Sequence, residues 1–288
     1  MMNWSLPKFP LDEISDTALD WLTGQFSGLT RAISRTVADW IDSASSFIAA
    51  LPPWATILVI ALIVWRLTSL RIAVFTLAGF AFLWNLELWK ATVQSLVLVL
   101  FSTAAALAIG IPIGILAALN RRLWRMISPL LDMMQTMPSF VYLIPAIPFF
   151  GLGAVSAAFA TIVFSMPPTI RLTALGILEA PPALVEAADA FGSSRLQKLL
   201  KVQLPLAVPT ILAGVNQTIM LALSMVVIAA MIGAGGLGGE VWRAIQRLEA
   251  GKGFEAGIAI VILAVILDRV TQHVARRMRG DRQQEHKD

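Results

Sequence analysis

Chemistry in a protein needs side chains that ligate, attack or carry protons, and this chain holds few of them in usable combinations. Cysteine is absent, which excludes disulfides, thiolate metal sites and cysteine nucleophiles together. Both histidines, His273 and His286, fall in or near the polar C-terminal end, so no His/Cys metal cluster is expected. Serines inside apolar segments have no histidine or lysine within helical reach, and no activated nucleophile is evident. Gly233-Ala-Gly235-Gly-Leu-Gly238 spells the G-x-G-x-x-G of dinucleotide sites, but that fingerprint needs a strand before it and a helix after it. Here it follows an apolar segment. A hinge, a close-packed outer gate or a plain turn fits better, because glycine permits positive φ and close backbone approach. No G-x-x-x-x-G-K-S/T phosphate loop occurs, since Gly251-Lys252 is followed by glycine. Acids in apolar segments are often functional, and Asp132 and Asp268 are the two of interest. Both sit near segment ends, where capping or local pairing is expected, Asp268 being beside Arg269. No catalytic or metal-ligating residue is assigned, and the chain is not expected to be an enzyme.

The elements around these residues are those of a membrane protein. Hydrophobic residues make up 57 % of the 288, charged residues only 14 %, and the mean hydropathy is +0.76. Soluble chains carry roughly 25 % charged residues, so this one lacks the polar surface to stay in water. Its apolar residues cluster near 54–66, 70–86, 91–119, 127–150, 154–178, 206–232 and 256–275. Seven candidate transmembrane helices follow, the first two short enough to form a tight hairpin. Pro138, Pro145 and Pro148 break the fourth; the freed backbone groups need neighbouring helices or a wet cavity. Gly110 and Gly114, four apart around Pro112, permit close helix packing or mark a kink.

Three regions are expected: an arm over 1–51, a membrane domain over 52–275 and a polar tail over 276–288. In the arm, Ile14, Trp21, Leu22, Phe26, Leu29, Ile33, Val37, Trp40 and Ile41 recur at helical spacing among Asp, Arg and Ser. This is an amphipathic helix, lying on lipid or packed on the bundle. No cleavable signal is expected before it, and no soluble module after the last span. Fifteen of the 22 Lys and Arg lie in 66–71, 120–125, 171–205 and the end from 269. The positive-inside rule therefore puts the N-terminus outside and the C-terminus in the cytoplasm, as an odd number of spans requires. Trp54, Trp65, Trp84, Trp89 and Trp124 fall near span ends, as an aromatic belt requires. The net charge of +4 marks the cytoplasmic face and calls for no nucleic-acid partner.

Between the fifth and sixth spans lies the most informative connection, residues 179–205. It reads Pro181-Pro-Ala-Leu-Val-Glu186-Ala187-Ala188-Asp-Ala-Phe-Gly192-Ser-Ser194-Arg-Leu-Gln197, then runs on to Leu204-Pro205. Prolines suit a first helical turn, and Gly192 sits where a left-handed C-terminal cap is wanted. Ser194 with Gln197 makes a capping box for a second helix, and Pro205 is expected to restart the chain as the next span. Ala187-Ala188 leaves a shallow surface against which another protein can press.

With Gly192 and Leu204-Pro205 at these offsets, the Glu-Ala-Ala segment resembles the "EAA" coupling loop of type I ABC importer permeases. Two further stretches resemble the glycine betaine/proline betaine/choline (ProU/Opu-type) branch of that family. One runs from Leu131-Asp132 through Gln135, Pro138, Ser139 and Tyr142 to Pro145. The other runs from Lys201 through Pro209, Gly214, Asn216 and Gln217 to Thr218, and the resemblance resumes over Leu223-Ser224-Met225-Val-Val-Ile-Ala. The resemblance covers about residues 52–275 and implies an all-α permease of a bacterial inner membrane. It implies that Glu186, Ala187, Ala188, Gly192, Leu204 and Pro205 couple the permease to a separate ATPase. It also implies a permease homodimer, two ATPase subunits holding ATP and Mg, and an extracytoplasmic substrate-binding protein; this chain itself is expected to hold no cofactor. The implied cargo is a quaternary ammonium or zwitterionic solute such as glycine betaine or choline, with histidine or another amino acid as the alternative. For the translocation path the candidates are Ser139, Tyr142, Asn216, Gln217, Ser224 and Met225, polar or soft residues for which a packing role is the alternative. An ion-coupled secondary transporter is the rival from another class; it needs a midplane acid and inverted repeats, and neither is visible.

Overall fold

A computed structural model describes residues 10–285; the first nine residues of the arm and the last three of the tail, His286 among them, lie outside the described residues. Helix α1, Leu11–Ala50, runs for 40 residues. Val37, Ile41, Ala44 and Ile48 follow each other at spacings of four, three and four along one face. They pack on the core, with Ile41 only 5 % exposed. Trp21, Leu29, Trp40 and Phe47 stay exposed. The arm thus divides its faces: the C-terminal half of one face seats on the bundle, and large apolar side chains elsewhere remain uncovered.

Leu51 is extended because a residue before proline avoids the helical region, and Pro53 then starts α2, Pro53–Leu67. The chain bends there by 107°. After Thr68 and Ser69 comes α3, Leu70–Asn85, packed back on α2 as the expected hairpin. Helix α4, Trp89–Leu119, follows, and Asn120 caps α5, Arg121–Thr136, by accepting from the backbone N–H groups of Arg122 and Leu123.

The fourth apolar segment is not a straight span. Met137 is extended before Pro138, a short 3-10 turn covers Ser139–Tyr142, and α6 is Leu143–Phe150. The two halves are bent by 113°. The break falls at the proline, which offers no N–H and excludes its predecessor from the helix. Helices α7, Ala154–Ser165, and α8, Pro167–Leu178, together form one long apolar element. Then come α9, Pro182–Ala190; α10, Arg195–Lys198; and α11, Leu204–Ala229. A turn leads to α12, Gly236–Arg247, and α13, Ala250–Glu285. Four elements are long and apolar enough to cross a membrane singly, or six if each bent pair counts as one span. Each of the seven apolar segments of the sequence is mainly helical, the fourth being broken at Met137-Pro138.

At the centre α8 lies between α4 and α11. A Cβ added at Gly114 of α4 would stand 2.6 Å from Thr173 Cβ and 2.7 Å from the Ile170 carbonyl oxygen. Gly110 meets Thr169 in the same way, at 3.0 Å. The glycine pair therefore serves close packing, the geometry by which membrane helices gain contact without a hydrophobic drive. Some buried hydroxyls return to their own helix: Thr161 donates to the Ala157 carbonyl and Ser165 to that of Thr161, each at 2.7 Å. Thr169 and Thr218 instead bond each other at 2.7 Å, fastening α8 to α11. Trp89 departs from the belt expected of it. It is buried and meets Phe80 edge-on, with ring centroids 6.1 Å apart.

Candidate functional site

The connection from α8 to α11 folds as its local signals direct. Gly192 takes φ +73°, and its neighbours close α9: Ser193 N–H donates to the Ala188 carbonyl and Gly192 N–H to that of Asp189. Ser194 and Gln197 form the reciprocal capping box. Lys198 Nζ holds the Asp189 carboxylate at 2.7 Å, so the two short helices are clasped together. Pro205 does not restart the chain. The helix runs unbroken from Arg195 to Ile232, because residues Leu199–Gln203 widen into a π turn in which Leu204 N–H donates to the Leu199 carbonyl. Such a bulge relieves the clash between a proline ring and the preceding turn.

This connection is largely uncovered. Helix α9 has no buried residue; Glu186 and Ala187 are exposed and Ala188 is half-buried. Phe191 is 90 % exposed, and Leu184, Leu196 and Leu200 are exposed beside it. Underneath, Leu199 packs with Ile177, Ala207 and Ile211, against Leu204 and Ile115. Leu204 and Pro205 are thus the root of the connection and not its surface. Phe191 is absent from the residues that sequence reasoning singles out, although a large aromatic beside a capping glycine is a signal for it.

Above the loop, Gln135, Phe164, Pro168, Asn216, Gln217, Met220 and Leu221 line an open cavity of about 400 Å³. Two of the six path candidates, Asn216 and Gln217, line it. Tyr142 and Met225 point into the packed core: Tyr142 donates its hydroxyl to the Met134 carbonyl and stacks edge-on to Phe164, and Met225 is fully buried. Ser139 lies in the 3-10 turn. Ser224 is exposed, with its hydroxyl returned to the Met220 carbonyl. Neither lines the cavity.

The two acids have distant partners. Asp132 of α5 pairs with Arg171 of α8, not with a neighbour in its own segment. Arg171 stands inside α8, although the charge pattern of the sequence groups it with the loop. Asp268 accepts from Asn216 Nδ2 at 3.2 Å and from Gln272 Nε2 at 2.8 Å; Arg269 is not its partner in these bonds. Asn216 therefore joins the cavity wall to a carboxylate on α13.

At the far end of the bundle the glycine-rich turn is tight and closely packed. Gly233, Gly235 and Gly236 all have positive φ, and a Cβ on Gly238 would stand 2.8 Å from Val227 Cα. Gln94 and Ser95 of α4 cap α12 by accepting from Gly236 and Leu237 N–H. No strand occurs among the described residues, so the dinucleotide fingerprint has no βαβ unit there. Nearby, Glu87, Glu240, Arg243, Arg247, Lys252 and Glu255 border a charged concavity of about 350 Å³.

Residues 110–280 match the binding-protein-dependent transport system inner membrane component family. The chain is 48 % identical to the glycine betaine transport system permease protein OpuAB of Bacillus subtilis, over 96 % of this chain and 99 % of that one. It is 45 % identical to the glycine betaine/proline betaine transport system permease protein ProW of Escherichia coli, over 95 % of this chain and 78 % of that one. Among solved structures, the inward-facing MetNI methionine ABC transporter shares the fold, with a TM-score of 0.61 and 24 % identity over 66 % of this chain and 95 % of that one. The exposed helical connection, the mostly apolar cavity with its three amides and these matches agree: the chain belongs to the binding-protein-dependent transport system inner membrane component family and is the permease subunit of such a transporter.

Proposed function

We propose that this permease imports glycine betaine or a closely related zwitterionic osmoprotectant. The observation that carries the reading is near-full-length similarity to permeases whose names specify glycine betaine, joined to a cavity with three amides and one aromatic wall. Amide side chains can donate to a carboxylate, and the Phe164 face suits a quaternary ammonium group.

Two copies of the chain form the route, with the N-terminus outside and the C-terminus in the cytoplasm. Two ATPase subunits hold ATP and Mg and hydrolyse the nucleotide. They dock at Glu186, Ala187, Ala188 and Gly192, with Phe191 filling a cleft and Leu204 and Pro205 passing the motion into α11. The exposed apolar side chains on α9 and α10 support that assignment, because a lone solvated loop gains nothing from them. The extracytoplasmic binding protein docks at the other end, where the concavity beside Arg243 and Glu240 offers charges of both signs.

Cells expressing the chain with its ATPase and binding protein should take up labelled glycine betaine. Unlabelled proline betaine and carnitine should compete, and histidine should not. Block by histidine alone would keep the machine and reassign its cargo to amino acids.

A further inference from the structure

A charged pair stands near the cavity without lining it. Asp132 lies on α5, three residues before the cavity-lining Gln135, and Arg171 lies on α8, three residues after the cavity-lining Pro168. Helix α5 leads away from the end of α4, and α8 leads into the exposed connection. Both steps of three residues therefore run toward the same end. The ion pair sits about one helical turn, roughly 5 Å, below the cavity on the side of α9 and α10.

The pair is only partly committed. One Nη of Arg171 reaches one oxygen of Asp132, while Arg171 Nε is buried with no hydrogen-bond partner among the described residues. A guanidinium offers five donors in a planar fork, so most of its capacity is unspent on Asp132. The Asp132 side chain is 60 % exposed and that of Arg171 30 %, and pairs with such exposure contribute little net stability. Helix α5 is itself lightly held. Leu131 is its one buried residue, and the extended Met137 before Pro138 gives it a ready pivot.

We propose that Asp132 and Arg171 form a latch keyed to zwitterions: the cargo's carboxylate takes Arg171 and its ammonium group takes the place of the guanidinium beside Asp132. This rests on the reading of the cargo as a betaine. A zwitterion opens the latch with every charge compensated, because it brings one charge of each sign. A solute with an ammonium group alone displaces Arg171 from Asp132 and offers it no anion in return, so the charge-assisted hydrogen bond is lost without replacement. Arg171 thus recognises the carboxylate, and Asp132 keeps the path closed and electrically neutral between turnovers. Parting the latch frees α5 to swing at Pro138 and opens the cavity toward the loop end.

The test compares glycine betaine with choline, which keeps the quaternary ammonium and lacks the carboxylate. Saturation-transfer NMR on the purified permease–ATPase complex, without binding protein, reads the permease's own preference. Uptake by the full transporter reads turnover. Arg171→Gln should weaken glycine betaine binding roughly tenfold or more, the scale of a lost charge-assisted hydrogen bond, and should strengthen choline binding, which then displaces no cation from Asp132. Asp132→Asn should keep the preference for the carboxylate while raising ATP hydrolysis without solute. Arg171→Lys should restore part of the preference, which marks the charge and not the packing as the cause. Equal losses for both solutes, or no change for either, would overturn the latch while leaving the permease reading intact. A wild-type complex that binds and moves choline but no carboxylate-bearing solute overturns both the betaine reading and the latch.

Discussion

Gly192→Val is expected to reduce solute uptake by more than tenfold while the permease still inserts into the membrane. The glycine has φ +73° and nothing within 4 Å of the position a Cβ would take, so no clash inside the chain is at issue. The cost is conformational: a left-handed backbone disfavours ordinary side chains by about 1–2 kcal/mol, more where the side chain is branched at Cβ. Valine therefore pushes the chain out of the cap that sets α9 against α10. The Lys198–Asp189 clasp and the exposed Phe191 shift with it, and the surface proposed to meet the ATPase is lost. The milder variant Gly192→Asn should retain much of the activity, because asparagine tolerates this conformation. Co-purification of the ATPase with each variant, together with uptake, checks the point. A valine variant that keeps its ATPase and transports normally would remove the coupling role from this loop.

Gly114→Leu is expected to damage folding and not coupling. Its first side-chain carbon would lie 2.6 Å from Thr173 Cβ and 2.7 Å from a backbone oxygen of α8, and backbone has no rotamer to yield. Helices α4 and α8 must separate, and overfilling a packed core costs about 1–3 kcal/mol, with this backbone contact at the upper end. Thermal unfolding in detergent should show a large fall in the midpoint, with poor yield from membranes. Gly24→Ala makes the contrasting control. It lies within α1, and its Cβ would meet nothing within 4 Å. Alanine there should leave stability unchanged or raise it by about 0.5–1 kcal/mol, the helix preference of alanine over glycine. Equal behaviour of the two variants would contradict the close seam.

The loop around Gly192 and the seam at Gly114 differ in how far residues alone reveal them. The loop is legible because its geometry is set locally: a proline start, a capping glycine and a Ser–Gln box all act within a few positions. The apolar segments are legible because about twenty consecutive nonpolar residues leave the backbone few alternatives. The prolines after Thr136 announce a break, and Pro138 sets its place. Which side of each span faces the cavity is not legible. Tyr142 and Met225 turn into the core while Asn216 and Gln217 line the cavity, and hydrophobic periodicity cannot separate them where both faces are nonpolar. The partners of the two acids are hidden for another reason. Asp132 meets Arg171 across 39 positions and Asn216 meets Asp268 across 52, distances at which local spacing carries no information. A charge inside an apolar segment is the available signal, and it points to a partner without naming one.

Carriage of solute through the cavity at the expense of a partner's ATP is tested most directly in proteoliposomes. These hold the permease with its ATPase, with loaded binding protein outside and ATP trapped within. Labelled glycine betaine should accumulate only when ATP is inside, and ionophores that dissipate proton and sodium gradients should leave the rate unchanged. Uptake that proceeds without ATP and collapses with an ionophore would make the chain an ion-coupled carrier and contradict the ATP-driven mechanism.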